Sequence, residues 1–531
     1  MQEYELPLSE CLVNGLPPDN HLPPNAPYAT VMRNLRPGLI DQAPELISNP
    51  TRNSQDWPFP KVVRDERVTL LLTRTGISTV TEGSPSWTVA SGYTLKSSFN
   101  QSTTVTLAGG TKWDFCAFED GHWFATNGVD FAFKLTTYGD VLRGYFDAST
   151  TPIVVNTLCR HGERLLMGGI SGGTWFTDAR FAELFRKWRM KQRNFMHSAM
   201  TWDTKWVVWG ERRGGATDGP FFLMMVALGL FGTTAFDKFK TEIEQAVENG
   251  EIGFASVKDV GAPRAMRPLD GSVRVYGASS VCTLSETEGS GYSASYAHGV
   301  GLRNFAISGD KTEHAWIDPS GDLHHSRLGN LNFRWIFQAT PSATTWDAPV
   351  MSFDDLRKEH WISNGTTTYL LSPDGKMSGP HTFVPTGLIR SGSLLVGVTQ
   401  YNAGSGAETI VGSAIPTATT WTAEFQSHPF CMNYRGSKRI QTVEATYENL
   451  TTPLADISAR TGASGTYTSM GTTPFNSDGA AYVRRSGNDF KLTVKGTVSA
   501  GADYAINGVR CRYQPESKQH RRGTSVPTEQ A

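Results

Sequence analysis

Trp316-Ile-Asp-Pro-Ser-Gly321 is a short aromatic strand that runs into a polar turn and ends on a glycine, and the sequence repeats this unit along most of its length. The other copies are Trp123-Phe-Ala-Thr-Asn-Gly128, Leu165-Leu-Met-Gly168, Trp206-Val-Val-Trp-Gly210, Val273-Arg-Val-Tyr-Gly277, Trp361-Ile-Ser-Asn-Gly365 and Leu394-Leu-Val-Gly397. Successive starts lie 42, 41, 67, 43, 45 and 33 residues apart, and about 40 residues is the period of a propeller blade. One such hairpin cannot bury its apolar face alone. The repetition therefore predicts a closed ring of small antiparallel sheets.

Composition agrees with an all-β chain. With 53 Gly and 28 Pro among 531 residues, and Ser/Thr clusters between short apolar runs, the chain has the punctuation of an all-β protein with many turns. A 39% hydrophobic content is enough for an ordinary core, and a propeller spends several hundred residues on one domain. Lys and Arg total 49 against 50 Asp and Glu, so the net charge of −1 provides no global attraction for nucleic acid or an anionic membrane. Cys11, Cys116, Cys159, Cys282, Cys431 and Cys511 are scattered with no CxxC pair, which reads as small buried hydrophobes in a protein made in a reducing cytoplasm. The opening Met1-Gln-Glu-Tyr-Glu-Leu-Pro carries no secretory signal pattern.

The charge-free stretch from Gly219 to Phe236 has the length of a membrane span, but Pro220, Gly229 and Gly232 interrupt it. The preferred parse makes Lys205 to Glu211 and Phe221 to Ala227 paired strands. A helix then starts at Thr234, with Asp237 as a capping-box acid, and stops at Asn249-Gly250. Phe236, Phe239, Ile243, Ala246 and Val247 form its apolar stripe, so Phe239→Asp is expected to cost several kcal/mol. This insertion, about 232–250, would explain the long step of 67. A second helix is expected from Asp178 to Asn194, with Phe181, Leu184, Phe185 and Trp188 on one face and a basic face elsewhere that reads as solvated, the alternative being contact with DNA or an acidic neighbour.

The ends differ from the middle. Residues 1–60 include Leu16-Pro-Pro-Asp-Asn and Leu22-Pro-Pro-Asn-Ala-Pro27, an extended arm that becomes ordered only by lying against something else. From 429 the alternation lengthens, as in Lys438 to Tyr447, Phe490 to Gly496 and Tyr504 to Arg512, which reads as half-buried sandwich strands. The tail from Pro515 is polar and expected to be mobile. The fold expected is thus all-β: a β-propeller of six to eight blades over 61–428, with a β-rich platform formed by the N-terminal arm 1–60 and the C-terminal segment 429–531, and a helical insertion.

Met32-Arg-Asn-Leu-Arg-Pro37, Val275 to Val281 (VYGASSV), His314 to Gly329 (HAWIDPSGDLHHSRLG) and Phe430 to Ile440 (FCMNYRGSKRI) resemble the tail nozzle, or tail tubular B, proteins of short-tailed bacteriophages. The resemblance implies a non-enzymatic structural subunit of the virion tail, made in the host cytoplasm. Copies would form a homo-oligomeric ring, a hexamer by the resemblance, below the portal and the head-to-tail adaptor and beside tail fibres or spikes. Double-stranded DNA would pass through the lumen without sequence-specific binding. A near-neutral chain suits a conduit, because each phosphate neutralised adds salt-dependent grip. The arm and the sandwich are the parts expected to make subunit contacts, so deleting residues 1–30 would leave the propeller folded and stop ring incorporation.

The alternative is a propeller-type tail protein that binds or cleaves host glycans. Cleavage needs paired carboxylates or an arginine cluster with a nucleophilic pair. Asp354-Asp355 and Glu286/Glu288 read as loop acids, and Ser308-Gly-Asp310 and Ser372-Pro-Asp374-Gly375 as hairpin turns. His324-His325 are strand neighbours that point to opposite faces, with no third His or Cys at ligand spacing. Gly168-Gly-Ile-Ser-Gly-Gly173 lacks the Gly-Lys-Ser/Thr end of a phosphate loop. No catalytic, cofactor-binding or metal-binding residue, no cofactor and no membrane span is assigned.

Overall fold

The computed structural model describes residues 4–19, 21–37, 112–117, 122–129, 154–169, 206–211, 223, 232–287, 291–338, 346–381, 421–431, 436–460, 465–498 and 504–516, with further strand segments between 50 and 144 and between 385 and 411. The chain is an all-β propeller joined to a two-sheet platform. Among the described residues, seven blade sheets span 61–92, 94–144, 157–256, 263–298, 307–332, 350–381 and 385–411. Edge strands of neighbouring blades lie side by side: Asp114–Ala117 of the second on Thr157–His161 of the third, that strand on Pro263–Leu269 of the fourth, and Ile307–Gly309, Val350–Asp354 and Pro385–Ser391 of the fifth to seventh in turn. Pro385–Ser391 comes back beside Lys61–Arg64 of the first, which closes the ring.

The repeated aromatic explains how blades stack. Trp316 and Trp361, each on the second strand of its blade, are among the largest fully buried side chains, and Trp316 meets Tyr276 of the preceding blade edge-on at 5.4 Å. Val273 and Val275 are also fully buried. Both faces of a blade are covered by neighbours, so these strands read as apolar runs rather than as alternation. At Gly277 a Cβ would stand 2.0 Å from the Val260 carbonyl oxygen, so the repeat's terminal glycine here admits the preceding loop.

The repeat does not map onto blades one for one. Strands Arg164–Gly168 and Trp206–Glu211 pair within one sheet, with Leu165 opposite Gly210, so two of the seven units belong to the third blade. The first blade has Thr69–Leu72 as its second strand, which does not end on a glycine and carries no such unit. Trp206–Glu211 pairs on its other side with Ile252–Ser256. That overturns pairing with Phe221 to Ala227, of which Leu223 alone is described and is helical. The helix runs from Gly232 to Glu248, starting two residues before Thr234, and is inserted between the third and fourth strands of the third blade. Ile243, Ala246 and Val247 of its stripe are buried and Phe239 is half-buried, while the Phe236 side chain lies outside the description. The Asp178 to Asn194 segment, Glu288 and residues 517–531 also lie outside the described residues.

The arm finds its partner surface in its own chain. Tyr4–Pro7 pairs with Ala505–Pro515 in the sheet that also holds Lys438–Glu448 and Ala480–Gly487. Ala29–Arg33 pairs with Trp421–Ser427 in the second platform sheet, alongside Asp489–Val498, Leu450–Arg460 and Thr468–Pro474. The platform sheet thus recruits residues 421–427, which the sequence assigned to the propeller. Further along the arm, Pro50–Asn53 pairs with Glu408–Val411 and supplies the fourth strand of the seventh blade. Between these strands the arm is strapped across the sixth blade. Leu16 bridges Met377, Trp335 Nε1 donates to the Pro17 carbonyl at 2.9 Å, and Arg36 forms a two-pronged ion pair with Glu359 at 2.6 and 3.2 Å. One apolar core therefore runs from Leu8, Leu12 and Met32 through Phe337 and Met377 to Phe425, Phe490 and Cys511.

Candidate functional site

A cavity of about 690 Å³ lies on the propeller axis, lined by residues of six of the seven blades. Its size is that of a small-molecule pocket, far below a duplex bore. Asp114 and Arg267 form an ion pair at 2.9 Å on one wall. Asp114 Oδ2 also accepts from Thr157 Oγ1 at 2.5 Å and from the Leu158 amide at 3.0 Å, so the carboxylate is fully engaged in holding the second, third and fourth blades together. Lys112 lies over the ring of Phe305 and within 3.4 Å of the Asn156 carbonyl. Burial pulls its pKa down to about 7, with Arg267 and Arg264 pushing the same way against Asp114.

Asp310 lies across the cavity. Burial alone would raise its carboxyl, but Lys358 at 2.5 Å, the Thr312 hydroxyl at 2.6 Å and the amides of Thr312 and Glu313 outweigh burial and hold it below the usual carboxylate range. A glycosidase needs one carboxyl kept protonated near neutral pH. Asp310 is held in the opposite state, and Asp114 is tied to an arginine. The Arg264 guanidinium donates to the Leu302 carbonyl. The arrangement offers cationic and aromatic groups to a small polar ligand, with the exposed Asp355 as a third carboxylate on its lining.

Of the other acids singled out in the sequence, Asp354, Glu286 and Asp374 have structural duties. Asp354 is fully buried and accepts the Leu356 and Arg357 amides at a turn, Glu286 receives Arg164 at 2.9 Å, and Asp374 caps a turn with Lys376 at 3.0 Å. All six cysteines are free, and five are buried. In the VYGASSV segment, Ser272–Gly277 pairs with Val281–Glu286. In the HAWIDPSGDLHHSRLG segment, Asp318 accepts the amides of Ser320, Gly321 and Asp322 at 2.8, 2.9 and 3.0 Å and holds His324 Nε2 at 3.1 Å. Gly321, at φ 99°, closes this turn.

Histidines tie blade to blade. His314 Nδ1 accepts from the Tyr276 hydroxyl at 2.7 Å while its Nε2 donates to the Pro268 carbonyl at 3.1 Å. Burial, helped by Arg267, lowers His314 to about 4, so it stays neutral. His324 and His325 point to opposite faces as strand neighbours should, His324 stacking on Trp316 and His325 meeting His360 of the sixth blade. His325 does have ligand-bearing company. Glu313 and His360 lie near it, 12 residues before and 35 after in the chain, a spacing that becomes readable only once the blades are placed side by side.

No family model matches the sequence, and no curated protein matches it by sequence. Solved structures of similar fold include a quinonprotein alcohol dehydrogenase-like protein from Bacteroides thetaiotaomicron, 9% identical, covering 66% of this chain and 67% of that one at a TM-score of 0.31. A computationally designed protein is 8% identical over 69% of this chain and 99% of its own, with a TM-score of 0.33. YjhT is 9% identical over 72% and 97%, with a TM-score of 0.32. At such identities and scores none of these likenesses bears on chemistry. Among the described residues, no helix is long and apolar enough to cross a membrane.

Proposed function

We propose that the chain is a structural, non-enzymatic subunit of a phage tail nozzle, copies of which form a ring below the head-to-tail adaptor through which the genome leaves. The observation that carries this reading is the platform woven from the two ends of the chain, Tyr4–Pro7 on Ala505–Pro515 and Ala29–Arg33 on Trp421–Ser427, since the family resemblance implies this combination with a propeller. The engaged state of Asp114 and Asp310 supports a non-catalytic role. An axial cavity of about 690 Å³ is too small to pass duplex DNA, so this reading requires the conduit to be formed between copies. A ring of this kind leaves tail fibres or spikes and the adaptor as the neighbouring proteins.

Electron microscopy of the purified chain, alone and mixed with portal and adaptor, tests the proposal. Rings with a central lumen, six copies by the resemblance, are the expected result. A chain that stays monomeric with the adaptor and hydrolyses host glycan would replace it with the glycan reading, which rests on the axial cavity.

A further inference from the structure

Glu313, His325 and His360 meet in the seam between the fifth and sixth blades. Glu313 immediately precedes strand His314–Ile317, His325 ends strand Leu323–His325, and His360 belongs to strand Glu359–Ser363 of the next blade. They are 4%, 2% and 0% exposed, and one ligating atom of each lies within 4.8 Å of the others. Glu313 Oε1, His325 Nε2 and His360 Nε2 are all buried without a hydrogen-bond partner. Each such atom carries a desolvation cost that native interiors rarely leave standing, and here three of them share one place.

We propose that Glu313, His325 and His360 bind a divalent transition-metal ion of zinc-like chemistry, which staples the fifth blade to the sixth. Two imidazoles and one carboxylate suit zinc and its first-row neighbours. Calcium and magnesium prefer all-oxygen shells, and copper(I) prefers sulfur. A four-coordinate ion with bonds of about 2.0–2.1 Å sets its ligands about 3.3 Å apart, so the side chains close by about 1.5 Å at the widest. Ser308 Oγ at 2.8 Å from His360 Nδ1 accepts that nitrogen's proton and leaves Nε2 bare for the ion, the outer support usual for a ligating histidine.

His325 opposes binding. Its Nδ1 accepts the amides of Arg327 and Leu328, both at 3.3 Å, so Nε2 holds the ring proton when no ion is bound. Coordination at Nε2 moves that proton to Nδ1 and gives up two long hydrogen bonds. In favour, burial raises the Glu313 carboxyl and drives the His360 imidazole well below its usual range, and a dication would neutralise the buried Oε1 side of Glu313, whose Oε2 is paired with the largely exposed Arg327 at 3.6 Å. Three protein ligands leave one position for a water, and ligands almost wholly excluded from solvent make the site structural rather than catalytic.

The test uses the full chain, stripped with a chelator, dialysed and titrated with zinc alone. Elemental analysis is expected to find one zinc per chain after dialysis, with the unfolding midpoint raised by a few degrees. Cobalt(II) in its place is expected to give the visible absorption of a four- or five-coordinate site. Glu313→Gln and His360→Gln should each lower zinc affinity at least tenfold. Should a variant fail to fold, the unaltered chain decides: less than a tenth of an equivalent of zinc retained and an unmoved midpoint would leave a buried water as the occupant and overturn the proposal. Zinc held as tightly by Glu313→Gln as by the original chain overturns it equally.

Discussion

Lys112 shows how one residue can set a pH response that the sequence conceals. Its folded pKa is pulled down to about 7, whereas an unfolded lysine titrates near 10.4. Below pH 7 both states are charged and the cost of burial is fully present. Between about 7 and 10.4 the unfolded chain binds the proton and the folded chain does not, so this group's contribution becomes more favourable as pH rises. Cys11, Cys159 and Cys282, pushed up to about 12 by burial, act in reverse once unfolded thiols ionise near pH 8.5. Comparison with Lys112→Met isolates the lysine. The variant is expected to unfold at a higher midpoint than the original chain at pH 6.5, with the gap shrinking steadily to pH 9, and a gap independent of pH would mean that the ammonium is not desolvated. Nothing in Thr111-Lys112-Trp113 predicts this. The cause is burial first, with the Phe305 ring against the ammonium, and then Arg267 and Arg264, groups that arrive from outside its own blade. Local chemistry was readable: the Asp318 turn and the burial of most cysteines follow from neighbours in sequence or from residue type. The Glu313, His325 and His360 cluster was missed because strand order, not spacing, assembles it.

At the scale of elements, the helical insertion was legible from its 3.6-residue stripe and its Asn249-Gly250 stop, and Gly250 takes φ 73° where the helix ends. Its partner was not legible, because two long interruptions of the third blade leave strands 164–168, 206–211 and 252–256 far apart in sequence, and a glycine-ended strand looks alike whether second or third in its sheet. Depth along the helix now separates two substitutions. Ile243 is fully buried beside the helix's own blade, so Ile243→Asp should cost several kcal/mol, as for any unpaired charge in an apolar contact. Phe239 is half-buried, and Phe239→Asp, expected from sequence to cost as much, should lose about 1 kcal/mol. Urea unfolding of both variants measures this. Equal losses would place Phe239 in a contact deeper than the chain alone provides.

For the whole molecule, the ends are the decisive parts. The arm was expected to need a partner surface because its prolines leave backbone groups unpaired, and that inference was physically sound; the surface it meets is the chain's own. Residues 4–19 and 21–37 cross between the two platform sheets and the sixth blade, burying Leu8, Leu12, Leu16, Met32 and Leu35. Arg36 reaches Glu359 where both are nearly excluded from water, and Tyr504 donates to the Asn34 carbonyl at 2.5 Å from the far end of the sequence. Deleting residues 1–30 removes the Tyr4–Pro7 strand, the Leu16 bridge to Met377 and part of strand Ala29–Arg33 at once. A platform sheet loses an edge strand, and an apolar face is opened to water over several large side chains. The truncated chain is therefore expected to lose amide protection throughout 438–515 and in the sixth blade, while the first four blades stay protected, with assembly of the proposed ring failing because the platform is unfolded. Hydrogen exchange followed by peptide mass analysis reads this directly. Full protection of 438–515 in a truncated chain that merely fails to assemble would return the arm to the role of a subunit clasp, and the built-in strap would be refuted.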